Sequence, residues 1–153
     1  MNIYILIVSD TKESIAYDKA IYWYNNKKWP LFKTTHNKNK ITKHDRFLVY
    51  IAGENKNSQS FISELLINDI EVCRTENNLA TISKKYGNSI HSYLCIDKVL
   101  QFTSPVFVEN IKNKLNFIKD KNGSSGAYFR GGCKLLSLED YSLIKNYVNL
   151  DLI

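Results

Sequence analysis

The sequence predicts an α+β domain, a small mixed sheet curled toward a barrel with helices between and after its strands. Three observations carry this. Five or six short runs rich in β-branched and aromatic residues are separated by turn residues. Stretches with apolar residues at helical spacing follow the first run and close the chain. The 153 residues amount to one domain, long enough to bury a core without disulfides or metals. A single domain over residues 1–153 is therefore expected, and there is no internal repeat.

Residues 3–8, IYILIV, are continuously apolar, as in a central strand buried on both faces. In residues 10–13, Asp10 is placed to accept first-turn amides while Glu13 reaches back, which predicts a helix start. Ile15, Ala16, Ala20 and Trp23 keep helical spacing to about Tyr24, and Asn25-Asn26 breaks it. Residues 27–46 are polar and basic with Trp29, Pro30 and Phe32 embedded, and are expected to form a long surface loop. Residues 46–52 and 60–67 read as a hairpin around the turn residues 53–58, with Asn68-Asp69 ending the second strand. Residues 70–89 suggest a short extended piece, a weak helical turn near 79–85 and a loop at Gly87-Asn88. A strand is expected at 90–98 and a break at Pro105. Val108, Ile111 and Leu115 predict a helix over 107–117, and 119–126 a polar loop. Residues 127–136 read as a strand with a bulge or close approach at Gly131-Gly132. Ser137-Leu-Glu-Asp140 is a capping box opening a last helix that buries Tyr141, Ile144 and Tyr147 or Val148.

Bulk properties exclude several classes. Cys73, Cys95 and Cys133 are odd in number and far apart, so buried thiols are expected and neither a zinc site nor a disulfide framework. His36, His44 and His91 lack ligand-like spacing. The N-terminus has no basic start and no small-residue cleavage site, so a cytoplasmic protein with no membrane association is expected. No nucleophile elbow, Walker loop, dinucleotide fingerprint or zinc-protease motif occurs, so a binding module is expected: no catalytic residues, metal or cofactor. The formal charge of +6 favours polyanionic partners. Lys, Asn, Ile, Tyr and Phe share A/T-rich codons, however, so genome composition supplies part of the excess.

The most informative segment is residues 27–46, where Lys27, Lys28, Lys33, Lys38, Lys40, Lys43 and Arg46 face one acid, Asp45. Trp29, Phe32 and His36 are interleaved. Lysines neutralise phosphates and aromatic faces stack on bases, the pairing that single-strand or flipped-base recognition requires. The alternative is a solvated loop whose Trp29 plugs the core. Glu64, inside an apolar strand, needs a hydrogen-bonding partner, and Ser63 either meets a ligand edge or leaves room for a neighbour. Tyr128 and Arg130 either share a face that holds a base or phosphate, or Phe129 fills the core while Arg130 faces solvent.

Taken in order, these stretches resemble the EVE domain of the PUA-like superfamily in its small stand-alone archaeal and bacterial form. NIYILIVSD resembles that family's opening strand. Trp29 and the basic loop with His36 and Asn37 or Asn39 resemble its W-G-V-P…H-x-N-T segment. Lys43-His-Asp45-Arg-Phe-Leu-Val-Tyr-Ile resembles K-P-G-D-x-x-V-x-Y, and Phe61-Ile-Ser-Glu-Leu an A-E-V-like strand end. Leu115-Asn-Phe-Ile-Lys, then Tyr128-Phe129, then Leu136-Ser-Leu-Glu-Asp-Tyr141-Ser-Leu-Ile144 follow L-x-F-I-x…F-x-G…L-x-x-E-D-Y-x-x-I. The resemblance implies a PUA-like curled mixed β-barrel flanked by helices, and a pocket for a base. Carried over, it makes Trp29 a pocket wall with His36, Asn39 and Ser63 near the base edge.

The chain departs from the pattern in places. Pro30-Leu31 replaces Gly-Val, His44 replaces Pro, and no Gly precedes Asp45. Ser124 lies where relatives often carry tryptophan, and a missing aromatic wall weakens stacking by about 1–3 kcal/mol. The first helix is long enough for Trp23 to compete with Trp29 for the wall.

The expectation is thus a nucleic-acid-binding domain, for RNA or DNA, that accepts a base, a modified one in preference. Trp29, Phe32, His36, Asn39, Ser63, Tyr128 and Arg130 would line the ligand site, and Lys27, Lys28, Lys33, Lys38 and Lys40 would hold the backbone. The protein is expected as a monomer or weak homodimer. The rival is a domain that binds or transforms a nucleoside-like small molecule in the same pocket.

Overall fold

In a computed structural model the structure describes residues 1–73 and 89–150. The helical turn and loop expected within 79–88 lie outside the described residues.

Six strands form one mixed sheet. They are β1 (Ile3–Val8), β2 (Lys28–Phe32), β3 (Arg46–Ile51), β4 (Ser60–Val72), β5 (Ile90–Phe107) and β6 (Cys133–Leu136), in the order β2-β5-β4-β3-β1-β6. β1 runs parallel to β3, and the other pairings are antiparallel. Helix α1 (Ala16–Asn25) lies between β1 and β2. A single turn α2 (Val108–Ile111) and the long α3 (Leu138–Leu150) follow β5 and β6.

The apolar run of β1 explains the layering. Alternate residues point to opposite faces, so Tyr4, Leu6 and Val8 enter one core and Ile3, Ile5 and Ile7 another. The first core takes Ala16, Ala20 and Trp23 from α1 and Trp29 and Leu31 from β2. Cys133 of β6 belongs to it too. The two edge strands of the sheet therefore meet in one core, which requires the sheet to curl. Bonds across the gap hold the curl: His36 N donates to Gly131 O at 2.8 Å and Asn37 Nδ2 to Cys133 O at 3.1 Å. They also cap part of an edge that would otherwise pair with another chain. The second core packs α2, Leu115, Ile118 and Ile144 of α3 on the opposite face. At its centre Phe129 stacks on Tyr50 with ring centroids 3.8 Å apart.

The structure corrects several expectations. α1 begins at Ala16, because residues 11–14 close a turn on themselves through Thr11 and Ser14. Asp10 still serves the helix, accepting from Ala16 N at 2.7 Å, but Glu13 makes no cap. The expected loop over 27–46 begins with strand β2. Its Pro30 is tolerated because β2 is an edge strand paired only with β5. β4 continues past Asn68-Asp69 to Val72, absorbing bulges between Leu66 and Asp69. β5 runs through Pro105, which falls in the stretch between Gln101 and Val106 where the register with β4 shifts. The helix expected over 107–117 is one turn, though Val108, Ile111 and Leu115 are buried as its spacing required. Residues 125–128 form a 3₁₀ turn, so the last strand starts only at Cys133. Ser137 caps α3 through its Oγ to Asp140 N at 3.1 Å. Asp140 does not reach back. It is buried and accepts from Asn116 N and Phe117 N, tying the preceding loop to α3.

Glycine is required at position 131. Its φ is +84°, and a Cβ there would lie 2.2 Å from His36 Nδ1. Gly131→Ala should cost about 1–2 kcal/mol for the left-handed backbone alone, and it should push the 33–37 loop away. Gly126→Ala, whose Cβ would meet nothing nearer than Ser124 Oγ at 3.6 Å, should leave the thermal midpoint nearly unchanged in the same melt.

Candidate nucleic-acid interface

A cavity of about 350 Å³ opens where the curled edges meet. The end of β1 contributes Ile7, Val8 and Ser9, and Thr11 follows on the turn. α1 contributes Lys19 and Trp23, which share a helix face at i, i+4 spacing. Phe32, Thr34 and Thr35 come from the exit of β2, and Gly131-Gly132 close the far side. The volume lies in the range of small-molecule sites, about 300–1,000 Å³.

The indole at the cavity is Trp23, itself only 5% exposed. Trp29, the expected wall, is 2% exposed and does not line the cavity. It packs edge-to-face against Trp23 at a centroid distance of 4.7 Å, with Tyr24 on its other flank at 6.1 Å. Trp29 is therefore the brace of the wall. Ser63 is fully buried and is spent on the Tyr24 hydroxyl. Trp29 and Ser63 thus converge on Tyr24 inside the core, behind the cavity.

Of the other expected ligand contacts, Phe32 lines the cavity. His36 is exposed and lies against Gly131, and Asn39 is exposed farther along the loop. Tyr128 packs on the second core, across the sheet from Trp29, and its hydroxyl accepts from Asp120 N at 2.8 Å. Arg130 is exposed and precedes Gly131 at the cavity's far side, while Phe129 fills the core. Tyr128 and Arg130 do not sit on a shared strand.

The lysines divide. Lys28 pairs with Glu71 at 3.0 Å and lies over the Tyr93 ring on the β2–β5–β4 surface. Lys27 is exposed just past the end of α1. Lys33, Lys38, Lys40 and Lys43 stand on the loop joining β2 to β3 and form no ion pair with a described residue. That loop is pinned at one end by His36 N to Gly131 O. At the other, Asp45 accepts from Thr42 N and Asn2 N, each at 2.8 Å. The basic segment therefore runs from the cavity rim, beside Thr34 and Thr35, along the β6 edge to the start of β1. Asp45, its one acid, is buried and engaged.

Lys19 carries the distinctive electrostatics. Burial pulls its ammonium below the ordinary lysine value, with Asp10 partly opposing. Burial pushes Asp10 upward, but hydrogen bonds from Ala16 N, Glu54 N and Asn55 and the charge of Lys19 outweigh it, so the carboxyl ends lower than usual. Lys19, Ser9, Thr34 and Thr35 were not singled out by the sequence. The signals available were the i, i+4 pair Lys19–Trp23 and the doubled glycine.

Glu64 lies on the other face of the sheet. It is 1% exposed and receives Tyr141 Oη at 2.6 Å and Lys145 Nζ at 2.7 Å, with Arg46 at 3.6 Å. It fastens α3 to β4. Among the described residues no helix is long and apolar enough to cross a membrane, and no group of His, Cys, Asp and Glu is arranged to hold a metal ion.

The chain matches no family model and no curated protein. Solved structures do match. The N-terminal domain of McrB from Staphylothermus marinus aligns with TM-score 0.61 and 9% identity over 94% of this chain and 93% of its own. A hypothetical protein from Leishmania major aligns with TM-score 0.63 and 10% identity over 100% and 98%. Rpa0253 from Rhodopseudomonas palustris aligns with TM-score 0.59 and 11% identity over 98% and 94%. What is shared is the fold, an α+β PUA-like curled mixed sheet flanked by helices.

Proposed function

We propose that this chain is an EVE-type member of the PUA-like superfamily, a nucleic-acid-binding module that accepts one base, modified or plain, in the cavity beside Trp23. The carrying observation is the juxtaposition at the sheet edges. A braced indole and Phe32 wall a cavity large enough for a base, and a row of lysines with no ion pair among the described residues leaves its rim. An aromatic platform contributes about 1–3 kcal/mol per stacked base, and backbone lysines add a salt-dependent term. The motif resemblance running from the opening strand to LSLEDY supports the EVE assignment. No catalytic step is assigned to the cavity, and a cytoplasmic monomer or weak homodimer is the matching state.

Titration with short single-stranded oligonucleotides at several salt concentrations tests this. Trp23→Ala should lose tenfold or more in affinity, on the scale of one lost platform, with little change in salt slope. Lys33→Ala with Lys38→Ala should weaken binding and flatten the slope by about 1–2 units. Affinity that is independent of salt would instead favour a neutral nucleoside-like ligand in the same cavity.

A further inference from the structure

We infer that the occupant of this cavity carries an anionic oxygen group that seats on Lys19, so that the site selects a flat ligand with negative charge. The inference rests on the reading that the cavity takes a base. Lys19 is the one charged side chain among the described lining residues, and no carboxylate faces it there. It is half-buried and forms no ion pair with a described residue. The acid nearest to it electrically, Asp10, has both oxygens engaged: Oδ1 accepts from Ala16 N, and Oδ2 from Glu54 N and Asn55 Nδ2. The Lys19 ammonium lies over the Trp23 ring, 6.0 Å from the centroid, and has no carboxylate bonded to it among the described residues, so a ligand anion would supply the counter-charge that this half-buried cation lacks.

The rest of the lining points the same way. The carbonyls of Gly131 and Gly132 each already accept one hydrogen bond, from His36 N and Ile7 N. The Thr11 hydroxyl is occupied by Ser14, and Thr35 Oγ1 accepts from Phe32 N, leaving its proton to donate. The hydroxyls of Ser9 and Thr34 can rotate to donate to an anion, as they can to accept. The described lining thus holds one cation, hydroxyls able to donate, and no carboxylate. A ligand edge bearing an amine would meet an ammonium, whereas an oxygen anion would meet donors. Within nucleic acid, such an anion can be an acidic substituent on the base or the phosphate of the same nucleotide.

The test uses the whole chain at fixed ionic strength and isothermal titration. The probes are the four ribonucleosides, their 5′-monophosphates, and 5-carboxycytidine against cytidine. At least one anionic form should bind about tenfold or more tighter than its neutral parent, the scale of a charge-assisted hydrogen bond. That advantage should collapse in Lys19→Gln, with an unchanged melting temperature showing that the variant is folded. Preference for 5-carboxycytidine places the charge on the base, and preference for monophosphates places it on the phosphate. Equal binding of charged and neutral forms overturns the inference and leaves the base-pocket reading standing. So does an anion preference that survives Lys19→Gln, or oligonucleotide binding with no preference among the small probes. Failure of oligonucleotides and small probes alike removes the base-pocket reading itself.

Discussion

Trp29→Ala should lower the unfolding free energy by about 3–5 kcal/mol, the cost of emptying a large aromatic site in a packed core. The ring is buried between Trp23 and Tyr24, and nothing polar replaces it. Its effect on ligand binding should be secondary, through a loosened Trp23. Trp29→Phe keeps most of the contact and should retain both stability and binding. Trp23 is nearly as buried, so Trp23→Ala should cost stability on the same scale, but it should also remove the cavity's indole and with it most of the binding of the folded protein. Urea denaturation read by circular dichroism, paired with oligonucleotide titration of the same variants, separates brace from wall. A binding loss in Trp29→Phe as large as that in Trp23→Ala would contradict this division.

Glu64→Ala should destabilise by about 3 kcal/mol, the lower end for breaking a buried ion pair, because Lys145 and Arg46 keep part of their contact with water. Removing the carboxylate leaves the Tyr141 hydroxyl and the Lys145 ammonium without the acceptor that fixes α3. Glu64→Gln retains an acceptor for Tyr141 and should lose less. A double-mutant cycle of Glu64→Gln with Lys145→Met should show coupling of about 1 kcal/mol or more, since the two groups are in contact. The cluster lies across the sheet from the cavity, so oligonucleotide affinity of the folded variants should hardly change. Additive effects in the cycle would show that the pair fastens nothing.

The parts of the fold legible in the sequence are those where one local rule acts alone. IYILIV is buried on both faces, so its pattern needs no partner to be read. Ser137 begins α3 through its own side chain, and Asn25-Asn26 ends α1. The parts that were not legible depend on a neighbour. Pro30 and the flanking lysines look like loop, and they form a strand only because β5 pairs along one side of an edge. Asn68-Asp69 looks like an ending, and bulges opposite β5 carry β4 through it. The spacing of Val108, Ile111 and Leu115 reports burial correctly, yet one helical turn followed by tight turns buries the same positions. Two indoles stand six residues apart, and their chemistry is identical. Only the curl of the sheet decides that, of two buried indoles, Trp23 reaches the cavity and Trp29 does not. The basic loop was legible as composition, but its pinning to Gly131, which brings it to the cavity rim, depends on a backbone bond across 95 residues.

The most direct measurement is mapping of amide and indole chemical shifts during titration with a short single-stranded oligonucleotide. The account predicts shifts concentrated at Lys19, the Trp23 indole, Phe32, Thr34, Thr35, Gly131 and Gly132, continuing along residues 33–43. Shifts confined to the Lys28–Tyr93 surface, or to α3 around Glu64, or absent at low salt, would contradict it.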